Sequence, residues 1–183
     1  MKFSNIKKLT KTANYAVDAP FIFVTKTIRE YQRELGLQLC PDFQRGHVWT
    51  YKQKVAYIEY LLRGGESGRD IYFNAPFWHS FCVKDDVYND FVVVDGLQRL
   101  TSVLEFMDDK VCIFADERRP DGYSLSQFED DVPLMVSLRF HINDLKTRAE
   151  VLNWYLEMNS GGTPHSAEEL QRVAKMYQDE ISK

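Results

Sequence analysis

The sequence predicts an α+β protein: a small mixed β-sheet packed with helices and closed by a C-terminal αα-hairpin. Three observations carry that prediction. First, the hydrophobic period switches inside Phe91 to Met107. Phe91-Val92-Val93-Val94 is a short, β-branched run that reads as a buried strand, and from Leu97 the apolar residues fall at Leu97, Leu100, Leu104 and Met107, the spacing of a helical core face. Second, the helix-start pattern S/T-x-x-E/Q recurs at Thr27/Glu30, Thr50/Gln53, Thr147/Glu150 and Ser166/Glu169. Third, the intervening apolar runs are short and bounded by Gly, Pro, Asn and Asp, as strands are.

In chain order, residues 1–20 carry Lys2, Lys7, Lys8 and Lys11 and end at Pro20, which predicts an extended arm. The rest, 21–183, is expected to be one domain, because 183 residues with 44% hydrophobic content support a single core and leave little room for a second. A helix is predicted from Thr27 to Leu35, stopped by Gly36, then a strand over Leu37 to Cys40 stopped by Pro41. The loop Pro41-Asp42-Phe43-Gln44-Arg45-Gly46-His47-Val48-Trp49 leads into a helix whose core face is Val55, Ile58, Leu61 and Leu62, ended by Gly64-Gly65. In this loop Phe43 and Trp49 read as core anchors.

Strands are predicted at Asp70 to Ala75 and His79 to Lys84, running antiparallel into Val92 to Val94. Further strands are expected at Val111 to Ala115 and Leu134 to Ile142, with a loop or short helix over 124–131. Thr147 opens a helix with Val151, Leu152, Tyr155 and Leu156 on its buried side, and Ser166 opens another with Leu170, Val173, Ala174, Tyr177 and Ile181. Joined through Asn159-Ser160-Gly161-Gly162, these two form the hairpin of 146–183.

Composition narrows the function classes. The net charge of -4 gives no global attraction for nucleic acid, so any DNA contact rests on a local patch. Cys40, Cys82 and Cys112 form no C-x-x-C pair, which argues against a disulfide framework or a cysteine zinc site and fits the reducing cytosol. The N-terminus lacks an apolar signal region and no apolar run is long enough to span a bilayer, so a cytoplasmic protein is expected. His47, His79, His141 and His165 lack metal-ligand spacing and read as surface or core histidines.

The joint Asp95-Gly96 holds the chemistry. A strand ending in glycine and feeding straight into a helix leaves the first helical N–H groups unpaired above the strand end, an anion site in the making. Arg99 stands in the first turn, against the positive end of the helix dipole, where an anion shared between them would justify it. Arg45, in a loop between strand and helix, offers a second guanidinium for bidentate phosphate binding. A plainer reading stands beside this one: Asp95 caps the helix and pairs with Arg99 four residues on, Gly96 serves the turn, and Arg45 ties down its loop.

Three stretches in order add a family resemblance. Pro41 to Trp49, then Val94-Asp95-Gly96-Leu97-Gln98-Arg99-Leu100-Thr101-Ser102, then Met158-Asn159-Ser160-Gly161-Gly162-Thr163-Pro164 with Glu169-Leu170, resemble the DUF262 family, with the likeness running over residues 25–175. That family includes the N-terminal domains of GmrSD-type modification-dependent restriction proteins and of phosphorothioate-sensing anti-phage effectors, and it belongs to the ParB/sulfiredoxin-like superfamily. The resemblance implies a ParB-like fold and a nucleotide-binding, usually nucleotide-hydrolysing, module with a nucleoside triphosphate and Mg²⁺ as its cofactors.

By carry-over, Asp95, Gly96, Gln98 and Arg99 match the D-G-Q-Q-R motif, Gln44 and Arg45 its Q-R loop, and Asn159 and Gly162 the N-x-x-G stretch. Asp95, Gln98 and Arg99 are therefore the expected catalytic residues. Asp95 is the expected metal ligand or water-orienting group, and Gln98 orients the attacking water. Gln44, Arg45, Gly96, Thr101, Asn159 and Gly162 are the expected nucleotide-binding residues. Leu97 departs from the motif by replacing its first glutamine, which either weakens hydrolysis or is neutral if position 97 packs inward.

The full-length nucleases of the family carry a C-terminal HNH-type domain, which these 183 residues are not expected to include, so nuclease activity from them alone is not expected. Two alternatives accompany the nucleotide reading. One is a non-catalytic module that binds a separate nuclease or DNA-modification-sensing partner. The other is direct DNA nicking, which the net charge and the lack of a metal-ligand cluster disfavour.

Overall fold

The computed structural model describes residues 2–79, 88–159 and 167–182. Its centre is a four-stranded sheet formed by β1 (Tyr15–Pro20), β2 (Asp70–Asn74), β3 (Val92–Asp95) and β4 (Ser137–Asn143), in spatial order β1-β4-β2-β3. The pairings β1/β4 and β2/β3 are antiparallel and β4/β2 is parallel, so the sheet is mixed as expected. The helices are α1 (Phe21–Leu35), α2 (Tyr51–Leu62), α3 (Leu97–Met107), α4 (Arg148–Asn159) and α5 (Ala167–Ile181).

Alternation along the strands sorts the helices into two layers. Ile71 and Phe73, Val93, and Leu138, Phe140 and Ile142 point to one face, where they join Phe21, Val24 and Ile28 of α1, Ile58 and Leu61 of α2, and Leu97, Leu100, Val103 and Phe106 of α3. Val92 and Val94 point to the other, joining Val151, Leu152, Trp154 and Tyr155 of α4 and Val173 of α5. A strand covered on both sides has no reason to alternate, and this is why Phe91 to Val94 reads as an unbroken apolar run. β3 is thus the shared floor of both layers.

Several expectations held. The capping box at Thr50/Gln53 has both of its hydrogen bonds, and Thr147 and Glu150 exchange the same kind of contacts at the start of α4. A short 3₁₀ turn occupies Leu125–Gln127 within the predicted 124–131 segment. α4 packs on α5 as two neighbouring helices. The Ser166 box, most of the predicted His79 to Lys84 strand, and Gly162 lie outside the described residues.

Other boundaries are corrected. The end of the arm is a sheet strand: residues 15–20 pair with β4 from Tyr15↔Ile142 to Pro20↔Ser137. Being an edge strand with a mostly exposed pattern, it has no apolar run to announce it. α1 starts at Phe21, not at Thr27, so the Thr27/Glu30 pair lies inside a helix and caps nothing. The Leu37 to Cys40 strand reduces to one bridge, Gln38↔Val92. The Val111 to Ala115 strand reduces to Ile113↔Tyr123, because Phe114 turns to φ 55 and leaves the extended region.

Candidate functional site

The site begins at the β3–α3 joint. Gly96 has φ 95 and ψ 9, a left-handed conformation that side chains resist, and an added Cβ would sit 2.7 Å from Ile71 Cδ1 and 3.2 Å from the Asp70 carbonyl oxygen. Glycine at this position is a steric requirement. It serves as the N-cap of α3 and supplies no side-chain hydrogen bond to the helix. The first-turn N–H groups of α3 therefore receive no side-chain cap, and the positive end of the helix stays open.

Around this helix start lies a cleft of about 390 Å³. Gln44, Arg45 and Trp49 line it from the 41–49 loop, Asp95 to Arg99 from the joint, and Tyr155, Met158 and Asn159 from α4. Seven of the residues singled out from the sequence, Gln44, Arg45, Asp95, Gly96, Gln98, Arg99 and Asn159, meet here. Thr101 does not line the cleft. Its hydroxyl is buried and has no hydrogen-bond partner in the structure, because one turn further along α3 the residue faces into the packed protein.

Each polar group has a definite local role. Arg99 Nη2 donates to Asp95 Oδ2 at 2.5 Å, so the pairing of the plainer reading exists, and it lies on the wall of the cleft. The Arg99 Nε is buried without a partner. Gln98 points away from α3 toward the loop: its Oε1 accepts from the backbone N–H of Val48 and Trp49 at 3.0 and 3.1 Å, and its Nε2 donates to the Gly46 carbonyl at 2.9 Å. Three bonds of this kind commit the amide to holding the loop. Gln44 Nε2 donates to the Val93 carbonyl at 2.6 Å, tying the same loop to β3.

Leu97 is 4% exposed and packs inward, in the core that α1 and α3 share. Phe43 anchors the loop as expected, 1% exposed and edge-on to Tyr155 at 5.4 Å. Trp49 instead lines the cleft, its ring edge-on to Tyr57.

The opposite layer also reaches the loop, a contact that no local spacing in the chain announces. Arg172 of α5 donates to the carbonyls of Asp42 and Phe43, both at 2.9 Å. Arg148 of α4 binds Asp42 through both carboxylate oxygens. Glu169 of α5 lies 3.8 Å from Arg45 and accepts from the Tyr155 hydroxyl at 3.4 Å. Burial, reinforced by the Glu169 charge, pushes the Tyr155 phenol well above its ordinary range, so it stays a protonated donor.

Metal chemistry has one foothold. Among the described residues Asp95 is the sole carboxylate lining the cleft, and no three His, Cys, Asp or Glu side chains gather as a metal-binding group. A lone carboxylate suits Mg²⁺ only where phosphate oxygens and water complete the shell. His141 is no ligand in such a group: it meets Asp70 at 2.6 Å and stacks on Tyr72 at 4.7 Å.

Fold and cleft together define an α+β domain whose cleft surrounds a strand-to-helix joint without a side-chain cap. A family model described as the N-terminal domain of the GmrSD restriction endonuclease matches residues 24–135, more than half of the chain, and the chain belongs to that family. The match spans the 41–49 loop and the Asp95 to Arg99 joint, and ends before α4. Neither the curated proteins nor the solved structures compared with it yielded a match. No helix among the described residues is long and apolar enough to cross a membrane.

Proposed function

We propose that the cleft binds the phosphate groups of a nucleoside triphosphate and that the chain is the ParB-like nucleotide module of a restriction or anti-phage system. The observation that carries this reading is the convergence of Arg45, Arg99 and the uncapped start of α3 on one cavity. Two guanidiniums from separate elements and a helix N-terminus are complementary to a polyphosphate and to little else of that size. The family's restriction context supports a role beside a partner nuclease.

In this reading Arg45 exchanges Glu169 for a phosphate oxygen, and Arg99 shares its charge between Asp95 and phosphate. Asp95, together with phosphate oxygens, would hold Mg²⁺, and the ion would supply positive charge against that which develops during phosphoryl transfer. Gln98 is a positioning residue, since its amide holds the loop that carries Arg45. Asn159, whose Nδ2 donates to the Tyr155 carbonyl, presents the end of α4 to the same ligand.

That commitment of Gln98 favours a second reading of the same cleft: a nucleotide-responsive interaction module without turnover, because the side chain expected to orient water is occupied. Phosphate release, measured with and without DNA and a partner nuclease, separates the two. Turnover above background that is lost in Asp95→Asn establishes hydrolysis. Thermal stabilisation by a triphosphate with no phosphate release establishes the binding module. Neither effect with any triphosphate removes both.

A further inference from the structure

At the C-terminal end of α3 lies a groove of mixed lining, with five apolar side chains beside Ser126 and an acidic lip. Its volume is about 370 Å³, and its floor is Ile22 of α1, Met107 of α3, Leu125, Phe128 and Val132. Glu129, Asp130 and Asp131 stand along its rim, all exposed. Beside it, the Phe21 N–H donates to the Val136 carbonyl at 2.9 Å, which brings the 133–136 turn against the start of α1. Phe23 at the start of α1 and Leu134 and Met135 in that turn are exposed, Met135 to 86%. An apolar floor, exposed apolar neighbours and three consecutive carboxylates that repel one another describe a surface suited to a basic, apolar strand of chain.

The N-terminal arm has that chemistry. Phe3 is 93% and Leu9 74% exposed, Ile6 is also exposed, and Lys2, Lys7 and Lys8 are their neighbours in the chain. Its root is fixed on the opposite layer: the Thr10 N–H donates to Glu157 of α4 at 2.8 Å, Asn143 Nδ2 to the Lys11 carbonyl at 2.9 Å, and Lys7 faces Glu157 electrostatically. Within one molecule the arm and the groove therefore sit on opposite sides of the sheet, the arm with its apolar groups facing water.

We propose that residues 2–9 of one copy dock in the α1–α3 groove of a second copy, with Phe3, Ile6 and Leu9 on the apolar floor and Lys2 and Lys8 against Glu129, Asp130 and Asp131. Reciprocal exchange of two arms closes a two-fold dimer, so no further copies are recruited. The contact area is small and the charges are at the rim, so the dimer is concentration-dependent and weakens with salt.

Sedimentation equilibrium of the full chain over a concentration series tests this, with Lys2→Glu/Lys8→Glu, Asp130→Lys/Asp131→Lys and the combined fourfold variant alongside. All four positions are exposed, and circular dichroism melts verify that each variant folds. The expected result is a monomer–dimer equilibrium that each charge reversal weakens about tenfold or more and that the combined variant restores. A chain that stays monomeric up to about 1 mM, or a combined variant as weak as either pair alone, overturns the proposal.

Discussion

Arg99 meets Asp95 at 2.5 Å across the single turn that joins β3 to α3, with the left-handed Gly96 between them. The pair is half-buried on the cleft wall, and its geometry depends on that glycine. A Cβ at 96 meets Ile71 Cδ1 at 2.7 Å and forces a left-handed φ on a residue that resists it. Gly96→Ala is expected to destabilise the fold by about 1–3 kcal/mol, read from chemical denaturation, through backbone strain and displacement of the Ile71 side chain.

Gln98→Ala removes three hydrogen bonds that hold the 46–49 backbone. Its expected cost is about 1–3 kcal/mol. Faster amide exchange confined to residues 46–49 would mark the loop as the origin of the loss, and a variant with unchanged exchange there would contradict the positioning role.

Thr101 provides the contrasting case. Its hydroxyl is buried without a partner, so Thr101→Val exchanges an unsatisfied polar group for a methyl of similar shape. Stability is expected to stay level or rise by up to about 1 kcal/mol, with triphosphate affinity unchanged. A tenfold loss of affinity would return Thr101 to the site.

The arm is expected to respond to acid. Burial pushes the Glu157 carboxyl upward, but the Thr10 N–H, the Asn153 side chain and the Lys7 charge outweigh it and hold the group below its usual value of 4.5. A depressed carboxylate stabilises the attached arm fully above the free value, and the contribution is lost as pH falls through the lower folded value. Limited proteolysis with an acid-active protease is expected to cut residues 2–11 increasingly as pH falls below that usual value. Glu157→Gln is expected to loosen the root of the arm at Thr10 and give the same cleavage at neutral pH.

What could be read from sequence followed the range of the interactions involved. The β3–α3 joint was legible because its strand run, glycine and helical spacing are contiguous, and the Q-R loop because motif residues cluster locally. The cap at Thr50/Gln53 was likewise a local pattern. β1 was missed because an exposed edge strand carries no apolar signature and exists only through pairing with β4, more than a hundred residues away. The same distance hid the Arg172 clamp on the loop carbonyls and the place of Tyr155, whose apolar spacing marked it as core while its hydroxyl faces Glu169. Gln98 was identified as a site residue, but its orientation depends on where the loop backbone falls, which no spacing reveals.

The central claim is that Arg45 and Arg99 grip one polyphosphate in this cleft, and isothermal titration of the ribonucleoside triphosphates with Mg²⁺ measures it most directly. Single-site binding is predicted, weakened at least about tenfold by Arg45→Ala and by Arg99→Ala in variants that keep their fold. A folded wild-type chain that gives no binding heat with any triphosphate, and no thermal shift in their presence, would contradict the account.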